Sequence, residues 1–215
     1  MELSEVRRVE RRWIEEVGEK FRERGWQVSN ARPALLTRNF SIGVEFQIQV
    51  NSRISASVGS IKFIPALGVC HQEIDRLITL FFKLPVLSAD ANPSAGANLP
   101  ELLPGDIDIF RWSVVPSRNE RGIQELMISD IETYGMAFLR NVGTLDGLVD
   151  RLARKPSSQG RDEVLAIAYA LAGSPSSARD VLSSIAARSR GESPLVLRQA
   201  EVFMESFAEY FQIFR

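Results

Sequence analysis

Nucleophile-and-base chemistry in this chain has one place to go. Cys70 and His71 are its single cysteine and single histidine, and they are adjacent. A thiolate–imidazole pair needs both side chains on one side. Neighbours on a strand point to opposite faces, and at a helix start they diverge by about 100°. Cys70 therefore reads as a small core residue ahead of an amphipathic helix, structural and unreactive. One Cys and one His also fall short of a zinc site, which would need carboxylates to complete it. No catalytic residue, metal site or cofactor is assigned.

The second constellation is acidic. Glu101, Asp106 and Asp108, with Arg111 nearby, lie where a long loop enters a predicted strand. Such oxygens suit a hard cation, but no glycine-centred ligand loop accompanies them. Solvated carboxylates produce the same pattern. These four residues are kept as candidate ligand- or partner-binding residues. Asp130 and Glu132 lie two apart at a helix start, and Asp130 reads as an N-cap or first-turn charge that favours the helix dipole.

The elements that must position these residues follow from periodicity. Val6, Val9, Trp13, Val17 and Phe21 recur every three or four residues, predicting a helix over 4–24, capped by Ser4 and stopped by Gly25. Its RRVERR stretch is interleaved with glutamates and reads as a solvated, ion-paired face. Val44, Phe46, Ile48 and Val50 alternate with polar residues, as do Ile54, Ala56 and Val58. An antiparallel hairpin over 43–58, turning at Asn51-Ser52, is expected, flanked by strands near 35–40 and 60–64. The segment 65–68 (PALG) ends that block, and a helix follows over 71–82. Four of the ten prolines fall in 84–106. That stretch is expected to be a loop with a mobile first half and, at 99–104, an anchored second half. A strand is predicted at 107–115, a polar turn at 117–122 and a short strand at 124–128. From Asp130 onward the pattern is helical. Thr144, Ser174 and Ser193 serve as N-caps, the last two followed by proline. Gly173 and Gly191 stop the helices before them.

Composition bounds the function. The chain has 215 residues, 26 Lys+Arg against 27 Asp+Glu and a net charge of −1. That balance argues against nucleic-acid binding, which favours a basic excess, and against an anionic membrane. No apolar run approaches the ~20 residues of a membrane span. The start MELSEVRRVERRW lacks the apolar stretch of a signal peptide. A cytoplasmic protein is expected.

Two resemblances add to this. Residues 165–185, with Tyr169, Gly173, Ala178 and Leu182, resemble one tetratricopeptide-type helix pair, a single unit and so no peptide-binding solenoid. The order of charged helix, Gly25-Trp26, antiparallel strands, loop, then DIETYGMAFL and TLDGL resembles uncharacterised bacterial α+β families. Some relatives of that kind look like immunity proteins of toxin systems. The resemblance implies no catalytic residues.

The expected fold is α+β: an antiparallel sheet of about five strands covered by helices at 4–24 and 71–82, then a helical C-terminal region. The linkers suggest an α+β domain over 1–155 and a helical extension over 156–215. The leading functional expectation is a non-catalytic protein-interaction module with another protein as partner. A homodimer through the aromatic C-terminal helix is one form of it. The alternative is an enzyme or small-ligand binder with an acidic cleft near 84–106, built from Glu101, Asp106, Asp108 and Arg111.

Overall fold

The structure is a computed structural model that describes residues 3–29, 34–55, 59–83, 93–105, 111–115 and 120–212. It is α+β. Among the described residues six strands form one antiparallel sheet in the order β1-β2-β3-β4-β5, with β6 also on β4. They are β1 (Gln27–Val28), β2 (Leu35–Ser41), β3 (Val44–Ser55), β4 (Ser60–His71), β5 (Ala95–Asn98) and β6 (Ser113–Val114). The helices are α1 (Leu3–Arg22), α2 (Gln72–Phe81), α3 (Glu120–Asp130), α4 (Met136–Val142), α5 (Leu145–Ala153), α6 (Arg161–Leu171), α7 (Pro175–Ser189) and α8 (Pro194–Phe211). No described helix is long and apolar enough to cross a membrane.

The chain forms two compact units, each assembled from two stretches: 1–69 with 96–140, and 70–95 with 141–215. The units interleave in sequence, whereas the linkers suggested a cut at 155/156.

In the first unit α1 lies across the sheet as its apolar stripe dictates. Trp13 is fully buried and stacks on Phe63 of β4 with ring centroids 3.7 Å apart. Phe21 meets Trp26 edge-on at 5.9 Å. The polar face of α1 does more than solvate. Beyond the internal Arg12–Glu16 pair, Arg12, Lys20 and Arg24 reach Glu120, Glu125 and Glu132, and Gln124 donates to Glu16. Side chains of α1 thus fasten it to α3, and Arg24, in the turn after α1, ties to the π-turn that follows α3.

Several local expectations need correction. The helix already includes Leu3, so Ser4 lies inside it rather than capping it. Asn51 and Ser52 do not turn: β3 runs straight through them to Ser55, because alternation simply continues. Pro65 does not end the sheet. Ile61, Phe63 and Leu67 keep one buried parity through it. The N–H of Phe63 donates to the Trp112 carbonyl at 3.1 Å, on the β6 side. The Pro65 nitrogen, two residues on, lies beyond the residues of β4 that β6 pairs with among the described residues. The strand expected at 124–128 is the middle of α3, whose turns bury Gln124, Met127 and Ile128. Residues 95–98 and 99–102, expected to be loop, form β5 and a 3-10 turn. Leu99 there is fully buried, which anchors the second half of the 84–106 stretch. Its first half, at 84–92, and residues 107–110 of the strand expected at 107–115 lie outside the described residues, while Ser113–Val114 of that strand form β6.

In the second unit α2, α6, α7 and α8 pack together. The aromatic face of α8 closes on α2: Phe81 meets Phe203 and Phe207 edge-on, each at 5.8 Å. Those rings are spent inside the unit. α6 and α7 form the expected hairpin around Gly173, whose φ of +74° is cheap only for glycine. Thr144 caps α5 through Gly147 N–H at 3.1 Å, and Ser193 caps α8 through Val196 N–H. Ser174 precedes α7 but makes no side-chain cap.

Candidate functional site

Glu101 and Arg111 are described; Asp106 and Asp108 lie outside the described residues. Glu101 sits in the 3-10 turn and closes a capping box with Asn98, accepting from Asn98 Nδ2 at 2.8 Å. Arg111 grips Asp130 with both ends of its fork, at 2.7 and 2.9 Å. Asp130 also accepts from Trp112 Nε1 at 2.9 Å. Asp130 is therefore not a first-turn charge. It is a buried carboxylate at the end of α3 that satisfies three donors, and bidentate pairing makes such a contact strong. Immediately after it the helix widens into a π-turn, Ile131–Gly135, before α4. Gly135 permits that turn to pack: a Cβ there would stand 3.1 Å from Leu67 of β4. Glu101 and Arg111 thus both have structural partners in the first unit.

Cys70 and His71 are both buried, as their place between strand and helix implies. The imidazole Nε2 lies 2.9 Å from the Val142 carbonyl, which only accepts, so Nε2 carries the proton. Burial holds the His71 pKa below its ordinary value, against that hydrogen bond. The backbone N–H of His71 donates to Ser94 Oγ at 3.0 Å, and Ser94 Oγ donates to Asp75 at 3.1 Å. Burial raises the Asp75 carboxyl to about 6, while the Ser94 hydroxyl opposes the shift. Spacing alone did not reveal this chain, because Ser94 and Asp75 meet only when β5 is approached from α2.

A further buried network opens α6. Burial works against the charge of Asp162, but donors on Ser157, Arg188, Ser158 and Arg161 outweigh it and hold its carboxyl below the usual range. Burial pushes Glu163 the other way, although its carboxylate accepts from Gly160 N–H. Arg188 of α7 reaches both acids, so this cluster ties two helices together.

A concavity in the first unit lies elsewhere. A groove of about 640 Å³ runs between α1 and the far end of the β2–β3 ladder, lined by Arg7, Glu10, Arg11, Ile14, Glu15, Ala34, Ser52 and Ile54. Residues 7, 11 and 14 share a helix face. Glu10 is engaged by the Ser52 hydroxyl. Arg7 and Arg11 have no ion-pair partner among the described residues. The RRVERR pattern was visible in the sequence; that Ile14, Ala34 and Ile54 lay an apolar floor beneath it was not.

Among the described residues no group of three or more His, Cys, Asp or Glu side chains is placed to hold a metal ion. No protein family, curated protein or solved structure matches the chain.

Proposed function

We propose that the protein is a non-catalytic interaction module and that the groove beside α1 receives its partner. The observation that carries this is the groove's make-up: an apolar floor of Ile14, Ala34 and Ile54 inside a rim of both charge signs. Apolar centre and polar rim is the anatomy of protein–protein contacts. Two arginines and one glutamate without an ion-pair partner among the described residues favour a protein segment that brings an apolar residue flanked by a carboxylate. Rim charges of this kind steer and orient a partner more than they strengthen it. The reading supposes a cytoplasmic, bacterial, immunity-like protein that needs no cofactor.

The test is photo-crosslinking from Arg11 and Ile54 in the native host, followed by reconstitution with the captured protein. A saturable complex is expected, with Ile14→Glu and Arg11→Glu each weakening it at least tenfold while the fold is retained. An interaction unaffected by both variants overturns the proposal.

The rival reading, a small-ligand binder or enzyme near 84–106, draws support from Asp75, whose raised pKa beside Ser94 is a feature common at functional sites.

A further inference from the structure

At the opposite end of the β2–β3 ladder from the α1 groove, the chain builds a second, smaller pocket. It holds about 200 Å³ and is lined by Arg38, Asn39, Phe40, Phe46, Met136 and Arg140. Its aromatic wall is made by an irregularity in register. Asn39 pairs with Glu45 and Ser41 with Val44, so Phe40 is an extra residue with no cross-strand partner. A bulge of this kind re-aims a side chain. Here it lays the Phe40 ring on Phe46, with centroids 4.4 Å apart and planes within 19°. Phe46 is buried, yet Phe40 remains 44% exposed.

The charge around this wall is one-sided. The Arg38 and Arg140 side chains form no hydrogen bond or ion pair among the described residues. The nearest acid in the ladder, Glu45, lies at the neighbouring position, on the other face of the strand from Arg38's partner Phe46, and accepts from Gln47 Nε2 at 3.2 Å. Arg12, Arg24 and Arg111 on this unit differ, each having a carboxylate partner. Two uncommitted forks beside a flat apolar wall and a thioether are complementary to an oxyanion on an apolar stem. The volume is below that of ordinary drug-sized sites, so it fits one ring and one carboxylate.

We infer that this pocket binds an aromatic carboxylate, the ring against Phe40, Phe46 and Met136 and the carboxylate between Arg38 and Arg140. The carboxylate belongs either to a free acid or to the C-terminal residue of a peptide; the chemistry recognised is the same. The inference does not rest on the α1 groove, and failure of either leaves the other standing.

The experiment is methyl NMR of the whole chain labelled at methionine, titrated with phenylacetate, with its neutral isostere phenylacetamide and with acetyl-Gly-Phe. Met136 lines the pocket and Met127 is buried elsewhere, so the second is an internal control. Saturable movement of the Met136 signal by phenylacetate or acetyl-Gly-Phe is expected, and the tighter of the two identifies the source. Phenylacetamide should bind about tenfold more weakly, and Arg38→Gln and Arg140→Gln should each cost a similar factor. Arg11→Gln, in the other groove, should change nothing. Equal binding of the amide, retention of affinity in both arginine variants, or inorganic phosphate binding as tightly as phenylacetate would each overturn the inference. So would the absence of a saturable Met136 response.

Discussion

Glycine 147 sets two physical effects against each other. It lies in the first turn of α5, where alanine is intrinsically better by up to about 1 kcal/mol. Helix propensity alone therefore predicts that Gly147→Ala stabilises. The packing says otherwise. A Cβ at 147 would stand 1.9 Å from the Asn141 carbonyl oxygen and 2.6 Å from its carbon. Non-bonded heavy atoms settle at about 3.5–4 Å, so the overlap exceeds 1 Å and involves backbone, not a yielding side-chain tip. That carbonyl cannot swing aside freely, because it accepts from Thr144 N–H at 3.2 Å and from Thr144 Oγ1 at 2.8 Å. The clash should outweigh the propensity gain and leave a net loss of about 3–5 kcal/mol. Gly18, inside α1, is the control. Its Cβ would meet only the Val28 methyls, at 3.6 and 3.8 Å, an ordinary contact. Gly18→Ala should therefore stabilise by up to about 1 kcal/mol. Urea unfolding followed by circular dichroism reads both, the first variant moving the midpoint down and the second up. A neutral or stabilised Gly147→Ala, or two shifts of the same sign, would refute the packing argument.

Other outcomes can be checked in the same assay. Trp13→Ala should cost about 3–5 kcal/mol. Trp13→Phe should cost much less, because it keeps a ring on Phe63 and removes an indole N–H that is buried without a partner among the described residues. Thr144→Ala should lose about 1 kcal/mol through the missing cap, with Thr144→Ser recovering most of it. Asp75 carries a pH signature: its carboxyl sits at about 6 against an ordinary 3.8, so between these values the folded state holds the proton more tightly. Its contribution to stability is thus fully present below about 3.8 and falls as pH rises through about 6. Two units correspond to about 3 kcal/mol, reduced to about 1–2 by partial exposure. Asp75→Asn keeps an acceptor for Ser94 and should flatten the unfolding midpoint between pH 4 and 7 relative to wild type. His71, whose lowered pKa gives the opposite slope, cancels in that comparison. An unchanged slope would remove Asp75 as its source.

What the sequence determined by itself is what depends on neighbours in the chain. The stripe of Trp13, Val17 and Phe21 made α1 amphipathic and told which face to bury. Ser193 and Thr144 set helix starts, Gly173 a stop, and alternation from Val44 and from Ile61 made strands. Each is a local preference, so each is legible from a few residues. The errors share a cause. Asn51-Ser52 and Pro65 carry turn signals, yet β3 and β4 run through them, because a place in the sheet is decided by the neighbouring strands and not by the local residues. Residues 124–128 bear enough apolar residues for either period, and burial under α1 selects the helix. Asp130 looks like a dipole charge until Arg111 and Trp112 arrive from another segment. The concavities were wholly beyond reach of the sequence. Ile14 joins Ala34 and Ile54, and Arg140 joins Arg38 across a hundred residues, only because the sheet and helices bring them together. Affinity for a partner is a property of that convergence. No single segment encodes it.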